Sequence, residues 1–159
     1  MKVFISYSVH DSEFVKEFAE ALKPHVESLR YWEESKELGE DAWESIFSWI
    51  DEADLVLAVI TDKTINRAMA VGNEIGHARA KGRKVIPLVA PGINDSQLGC
   101  LKGVTYQRID MDNPKPAIGA IANEISRMKL AKLQAGQADL SDLLVIAGLV
   151  ALVIWATKK

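Results

Sequence analysis

The sequence predicts an α/β fold, a parallel five-stranded sheet with helices on both faces, and three features of residues 1–128 carry that prediction. Short apolar runs alternate with stretches of helical periodicity. The run at 54–61, DLVLAVIT, is aliphatic on both alternating faces, as a strand covered from both sides must be. Prolines and glycines fall where the helical stretches begin or end.

Each element has its own reason. Residues 3–7, VFISY, bring β-branched and aromatic side chains that suit a pleated, buried surface. Phe14, Val15, Phe18, Ala19 and Leu22 then recur at the period of a helix, with Asp11 and Ser12 placed to cap its start and Pro24 to end it. Residues 29–32, LRYW, form a short second strand; the acidic stretch EESKELGEDAWE around Gly39 is a loop. Trp43, Ile46, Phe47 and Ile50 mark a second amphipathic helix ahead of the third strand, 54–61. Next comes AMAVGNEIGHARA, a small-residue helix that stops at Gly82, a left-handed cap. Its Gly72 and Gly76 imply close helix–sheet packing. Residues 84–89, KVIPLV, are a fourth strand, and Pro87 implies an edge or a bulge. A short fifth strand covers 104–109, and Pro114 and Pro116 open a final helix with Ile118, Ile121, Ile125 and Met128 in line. Right-handed crossovers then put the loops after Tyr7, Trp32 and Thr61 on one rim, beyond the strand C-termini, where ligands bind.

Glu74 is the conspicuous residue. At helical spacing it lies on or beside the apolar face of its helix, where an unpaired carboxylate is costly. Either a structural partner such as Arg79 satisfies it or it has a chemical task. Ser6 and Ser8 have no matched His/Asp pair in the sequence, which argues against a serine hydrolase.

Composition narrows the class. A net charge of −3 over 159 residues argues against a dedicated nucleic-acid binder. The single cysteine, Cys100, forms no internal disulfide, offers no metal cluster and suits a reducing compartment. Charge is uneven: residues 11–54 carry fourteen acids and four bases, whereas 63–108 carry eight bases and two acids. Such polarity favours head-to-tail contact between copies, the alternative being solvated faces sorted by sign. After residues 129–139, a helical or flexible linker, the run LLVIAGLVALVIWA at 143–156 is uncharged, apolar all round, and followed by two lysines. Trp155 stands where interfacial aromatics sit. Residues 140–157 therefore read as a hydrophobic, membrane-inserted helix, although fourteen residues reach only about 21 Å. The expected location is a membrane, held by this single segment, with the N-terminal domain cytoplasmic.

The stretches KVFISYSVHDSEFVKEFAEAL and YWEESKELGEDAWESIFSWIDEADLVLAVIT, then a helix bearing Glu74 and the segment GRKVIPLV, together resemble a bacterial-type Toll/interleukin-1 receptor (TIR) domain over about residues 2–128. The resemblance implies a flavodoxin-like fold and, as in many members, cleavage of NAD+ at the nicotinamide–ribose bond. The products would be ADP-ribose or a cyclic or derivatised signal, made in anti-phage defence and triggered by self-assembly. It implies Glu74 as the catalytic acid and Ser6, Tyr7, Ser8 and Asp11 as substrate contacts. Lys36, Leu38 and Gly39 would form a lid with Trp43 behind it. Where the family often carries tryptophan, four residues before the glutamate, this chain has Ala70. NAD+ enters as substrate, with no cofactor and no metal. The alternatives are a non-catalytic TIR scaffold, or an effector whose assembly drives the C-terminal segment to perturb the membrane. The segment GNEIGHARAKGRKVIPLV also resembles nucleoside deoxyribosyltransferases, which likewise cleave an N-glycosidic bond.

Overall fold

A computed structural model of the chain describes residues 1–32, 42–65 and 68–135. Five parallel strands form one sheet in the order β2-β1-β3-β4-β5: β1 (Lys2–Ser6), β2 (Ser28–Tyr31), β3 (Leu55–Ile60), β4 (Lys84–Val89) and β5 (Gln107–Arg108). The helices are α1 (Ser12–Leu22), α2 (Ala42–Glu52), α3 (Asp62–Ile65), α4 (Ala68–Ala80) and α5 (Lys115–Gln134).

The period of two along each strand divides the core. Val3, Ile5 and Tyr7 on β1 and its exit, with Leu55, Leu57 and Val59 on β3, face α1 and α5 through Val15, Phe18, Leu22, Ile121 and Ile125. The alternate residues face the other way. Phe4 and Val56 meet Ile46, Ile50 and Ala78 from α2 and α4, and Ala58 and Ile60 meet Val71 and Ile75. All six residues of β3 are buried, which is why its sequence is uniformly aliphatic.

Several expectations change. Asp11 sits at the N-cap of α1 but makes no side-chain cap bond, because its carboxylate is drawn across to β3. Pro24 does not stop the chain at once; it sits inside a 3-10 turn, Lys23–His25, whose first turn needs no proline N–H. Pro87 makes no bulge, since β3 and β4 pair in unbroken register from Leu55↔Lys84 to Ile60↔Val89. It lies just before Leu88, the first residue of β4 to pair with β5. The fifth strand is two residues long rather than six because 104–106 stand away from β4 across a groove of about 540 Å³, lined by Lys84, Ile86, Thr105, Tyr106, Glu124 and Arg127. Gly82 is the expected cap, with φ of 68°; Arg83 N–H bonds to Ala78 O at 2.9 Å and Gly82 N–H to Arg79 O at 3.0 Å, a Schellman pair. Gly72 and Gly76, in contrast, permit no close approach: a Cβ at either would meet no heavy atom within 4 Å.

Helix α5 runs past 128 to Gln134, so the stretch expected as a linker from 129 is helical that far and packed. Lys129 is buried and its Nζ donates to His25 O at 3.0 Å, while Lys132 Nζ reaches Asp54 Oδ1 at 2.6 Å. The hydrophobic segment at 140–157 lies outside the described residues, among which no helix is long and apolar enough to cross a membrane.

Two substitutions measure this packing by urea unfolding. Phe18, fully buried, should cost about 3–5 kcal/mol as Phe18→Ala. Gly76→Ala should instead add about 0.5–1 kcal/mol, since the helix gains propensity and nothing is displaced; a loss there would show a close contact after all.

Candidate functional site

Strand parity sets the site. Ser6 ends β1 on the same face as Phe4, toward α2 and α4, and is fully buried. On α4 the buried positions Val71, Glu74, Ile75 and Ala78 follow the three-to-four spacing of one face, so Glu74 points at the end of β1 along with its apolar neighbours. Only 7% of Glu74 is exposed. Burial pushes its carboxyl from 4.5 up to about 7, outweighing the Ser6 hydroxyl, whose hydrogen bond to the carboxyl acts in the opposite direction. Arg79 offers no neutralising charge, because its guanidinium bonds to Cys100 O.

The hydroxyls of Ser6 and Ser8 are buried beside this carboxyl's end of the sheet without a partner in full hydrogen-bond geometry. Native proteins rarely leave such groups unpaired, and ligand sites are where they do. Asp11, 3% exposed, is a staple between two rim loops instead of a free ligand. Its Oδ2 accepts from Thr61 Oγ1 at 2.8 Å. Lys63 Nζ stands 3.0 Å from Oδ1 as an ion pair while donating to His10 O at 2.9 Å. Thr61 and Thr64 complete the staple: each backbone N–H donates to the other's hydroxyl at 3.2 Å, and Thr64 Oγ1 donates to Val59 O at 3.0 Å. Neither threonine was a sequence candidate. The signal for them is the T-x-x-T spacing directly after an aliphatic strand, the pattern of a reciprocal cap.

Tyr7 faces the α1/α5 core, its hydroxyl donating to Trp32 O and its ring set edge-on to Tyr31 at 6.3 Å. Its part is to fix the exit of β2. Trp32 packs on Trp49, with ring centres 6.2 Å apart. Trp43 opens α2, is 38% exposed, and packs against Phe47 at 5.4 Å. Lys36, Leu38 and Gly39 lie outside the described residues. Among the described residues no group of His, Cys, Asp or Glu could hold a metal ion. What remains is a buried carboxyl with a raised pKa, the Ser6 hydroxyl facing it, and the buried Ser8 hydroxyl without a partner. That set can hold a ribose-like diol and stabilise positive charge developing beside it.

The sequence profile of the TIR domain matches residues 3–122. The chain belongs to the TIR domain family. Among solved structures, it is similar to the TIR domain of the Toll-related receptor TRR-2 from the lower metazoan Hydra magnipapillata, at 15% identity and a TM-score of 0.58, over 77% of this chain and 96% of that one. It is also similar to the TIR domains in the activated Roq1 resistosome that directly recognises the pathogen effector XopQ, at 17% identity and a TM-score of 0.51, over 64% of each chain. The chain thus spans less than two thirds of that second structure's length. Identities this low carry the fold alone. No curated protein matches the chain in sequence.

The TIR site makes a stability prediction with a definite sign. Folded Glu74 holds its proton up to about pH 7, whereas the unfolded side chain releases it near 4.5. The folded state therefore binds more protons in that window, and stability falls as pH rises through it. Glu74→Gln should unfold like the wild type near pH 4.5 and be more stable by up to about 3 kcal/mol at pH 8. A pH-independent difference in urea midpoints would contradict the buried, neutral carboxyl.

Proposed function

We propose that this TIR domain is an NAD+ nucleosidase in which Glu74 is the catalytic carboxylate. The observation that carries the reading is the buried Glu74 carboxyl facing the Ser6 hydroxyl at the end of β1, with the buried, unpartnered Ser8 hydroxyl two residues along the chain. As the nicotinamide–ribose bond breaks, positive charge develops at the ribose C1′, and a fixed carboxylate in a desolvated site stabilises it. Nicotinamide leaves as a neutral base carrying the bonding electron pair, so no strong general acid is needed. Water completes the reaction to ADP-ribose, its proton passing to Glu74 or solvent; an internal nucleophile gives a cyclic or derivatised product. Ser6 and Ser8 hold the ribose hydroxyls, Lys36, Leu38 and Gly39 form the lid, and Trp43 stands behind it. A setting in bacterial anti-phage defence, self-assembly as the trigger, and a membrane tether through 140–157 with the TIR domain cytoplasmic belong to the same proposal, on the sequence alone.

The test is nicotinamide release from NAD+ under conditions that cluster the protein. Wild type should release it and Glu74→Ala should be slower by at least about 100-fold. Because the ionised form acts, kcat/KM should rise with pH up to about 7 and then level off. Release by neither protein would overturn the enzyme in favour of the scaffold; equal release by both would remove Glu74 from the chemistry. Detergent partitioning of the chain with and without 140–159 tests the tether, which a protein equally water-soluble in both forms would refute.

A further inference from the structure

The helix that carries Glu74 is weakly held by its own sequence. Gly72 and Gly76 flank the carboxyl two residues away on each side, fill no contact that needs a glycine, and lower the helix propensity of α4. Anchorage must therefore come from tertiary contacts, and beside the apolar packing of Val71, Ile75 and Ala78 several polar contacts of this helix and its exit meet at one residue of α2. Asp51 Oδ1 accepts from His77 Nε2 at 2.8 Å, and its Oδ2 accepts from Lys81 Nζ at 3.1 Å. Its carbonyl oxygen accepts from the Arg83 guanidinium just past the end of α4. The His77 ring also stacks on Phe47, with centres 4.4 Å apart and planes within 22°. His77 is one turn from Glu74, so a shift of this contact moves the carboxyl relative to Ser6.

We propose that Asp51 and His77 form a clamp between α2 and α4 that positions Glu74 and keeps its site dry, making His77 a positioning residue for the reaction. The ion pairs themselves are half-exposed and contribute little as charges, so the effect lies in geometry: the His77–Asp51 hydrogen bond fixes the rotation of α4, and the ring stack on Phe47 only packs beside it. His77 faces Asp51, with Lys81 and Arg83 beside it; Glu74 faces Ser6. Releasing the clamp admits water to Glu74 and lets its carboxyl ionise more readily.

The proposal rests on the nucleosidase reading only for its kinetic part, and the test separates the two. In the full chain labelled at the glutamate carboxyl carbons, the Glu74 titration is followed by NMR, its signal assigned by Glu74→Gln. His77→Phe keeps the stack and loses the bond; Asp51→Ala removes the acceptor; His77→Gln keeps a donor at the same reach. The first two should move the Glu74 midpoint to lower pH and cut kcat about tenfold with KM little changed, whereas His77→Gln should retain the wild-type midpoint. Identical midpoints in wild type, His77→Phe and Asp51→Ala would overturn the clamp. If wild type releases no nicotinamide, the nucleosidase reading fails while the titration still decides the clamp.

Discussion

A parallel sheet covered on both faces has no wet side, and that constraint organises this domain. Every residue of β3 and the inward positions of β1 must be apolar, because a polar group there has no water to bond. The polar side chains that are nonetheless buried stand out for this reason. Among the described residues they are Ser6, Ser8, Asp11, Thr61, Thr64, Glu74 and Lys129, and all but Lys129 gather at the C-terminal ends of β1 and β3 or on the helix beside them. Lys129 apart, polar burial among the described residues is thus confined to the rim of the sheet. It divides into the Asp11–Thr61–Thr64 staple, held by its own hydrogen bonds and the Lys63 ion pair, and a second group in which Ser6 faces Glu74 and the Ser8 hydroxyl has no partner.

The two halves serve each other. The staple ties the loop after β1 to the loop after β3, which holds Ser8 where it is without using its hydroxyl. Glu74 then sits where burial disfavours its charged form, a cost in folding that is offset elsewhere in the core. A carboxyl placed for stability alone would have found Arg79, five residues along the same helix, yet that guanidinium turns to the Cys100 carbonyl. Retaining a buried carboxyl with no compensating charge is what a working site looks like in a fold that is otherwise well packed.

The charge asymmetry of the sequence has a partly internal resolution. Acidic residues of the first half meet basic residues of the second within one chain: Asp51 with His77 and Lys81, Asp11 with Lys63, and Asp54 with Lys132 from α5. These contacts join α2 to α4, the first loop to α3, and the start of β3 to α5. What is left over for contact between copies is correspondingly smaller than the raw sequence charge.

The sequence by itself determined the existence of the five strands, their parallel arrangement and the face on which Glu74 lies: the first and last follow from a local period of two or of three to four, the second from the alternation of strand with helix. It determined the Gly82 cap for the same reason, a single residue able to adopt φ of 68°. Only the tertiary structure decided where long-range polar partners go. Asp11 left its helix cap for Thr61, fifty residues away, Tyr7 gave its hydroxyl to Trp32, and Gly72 and Gly76 turned out to have room for a Cβ. No local period encodes such choices, since they depend on which loops the sheet brings together and on how closely α2 and α4 pack once it has formed.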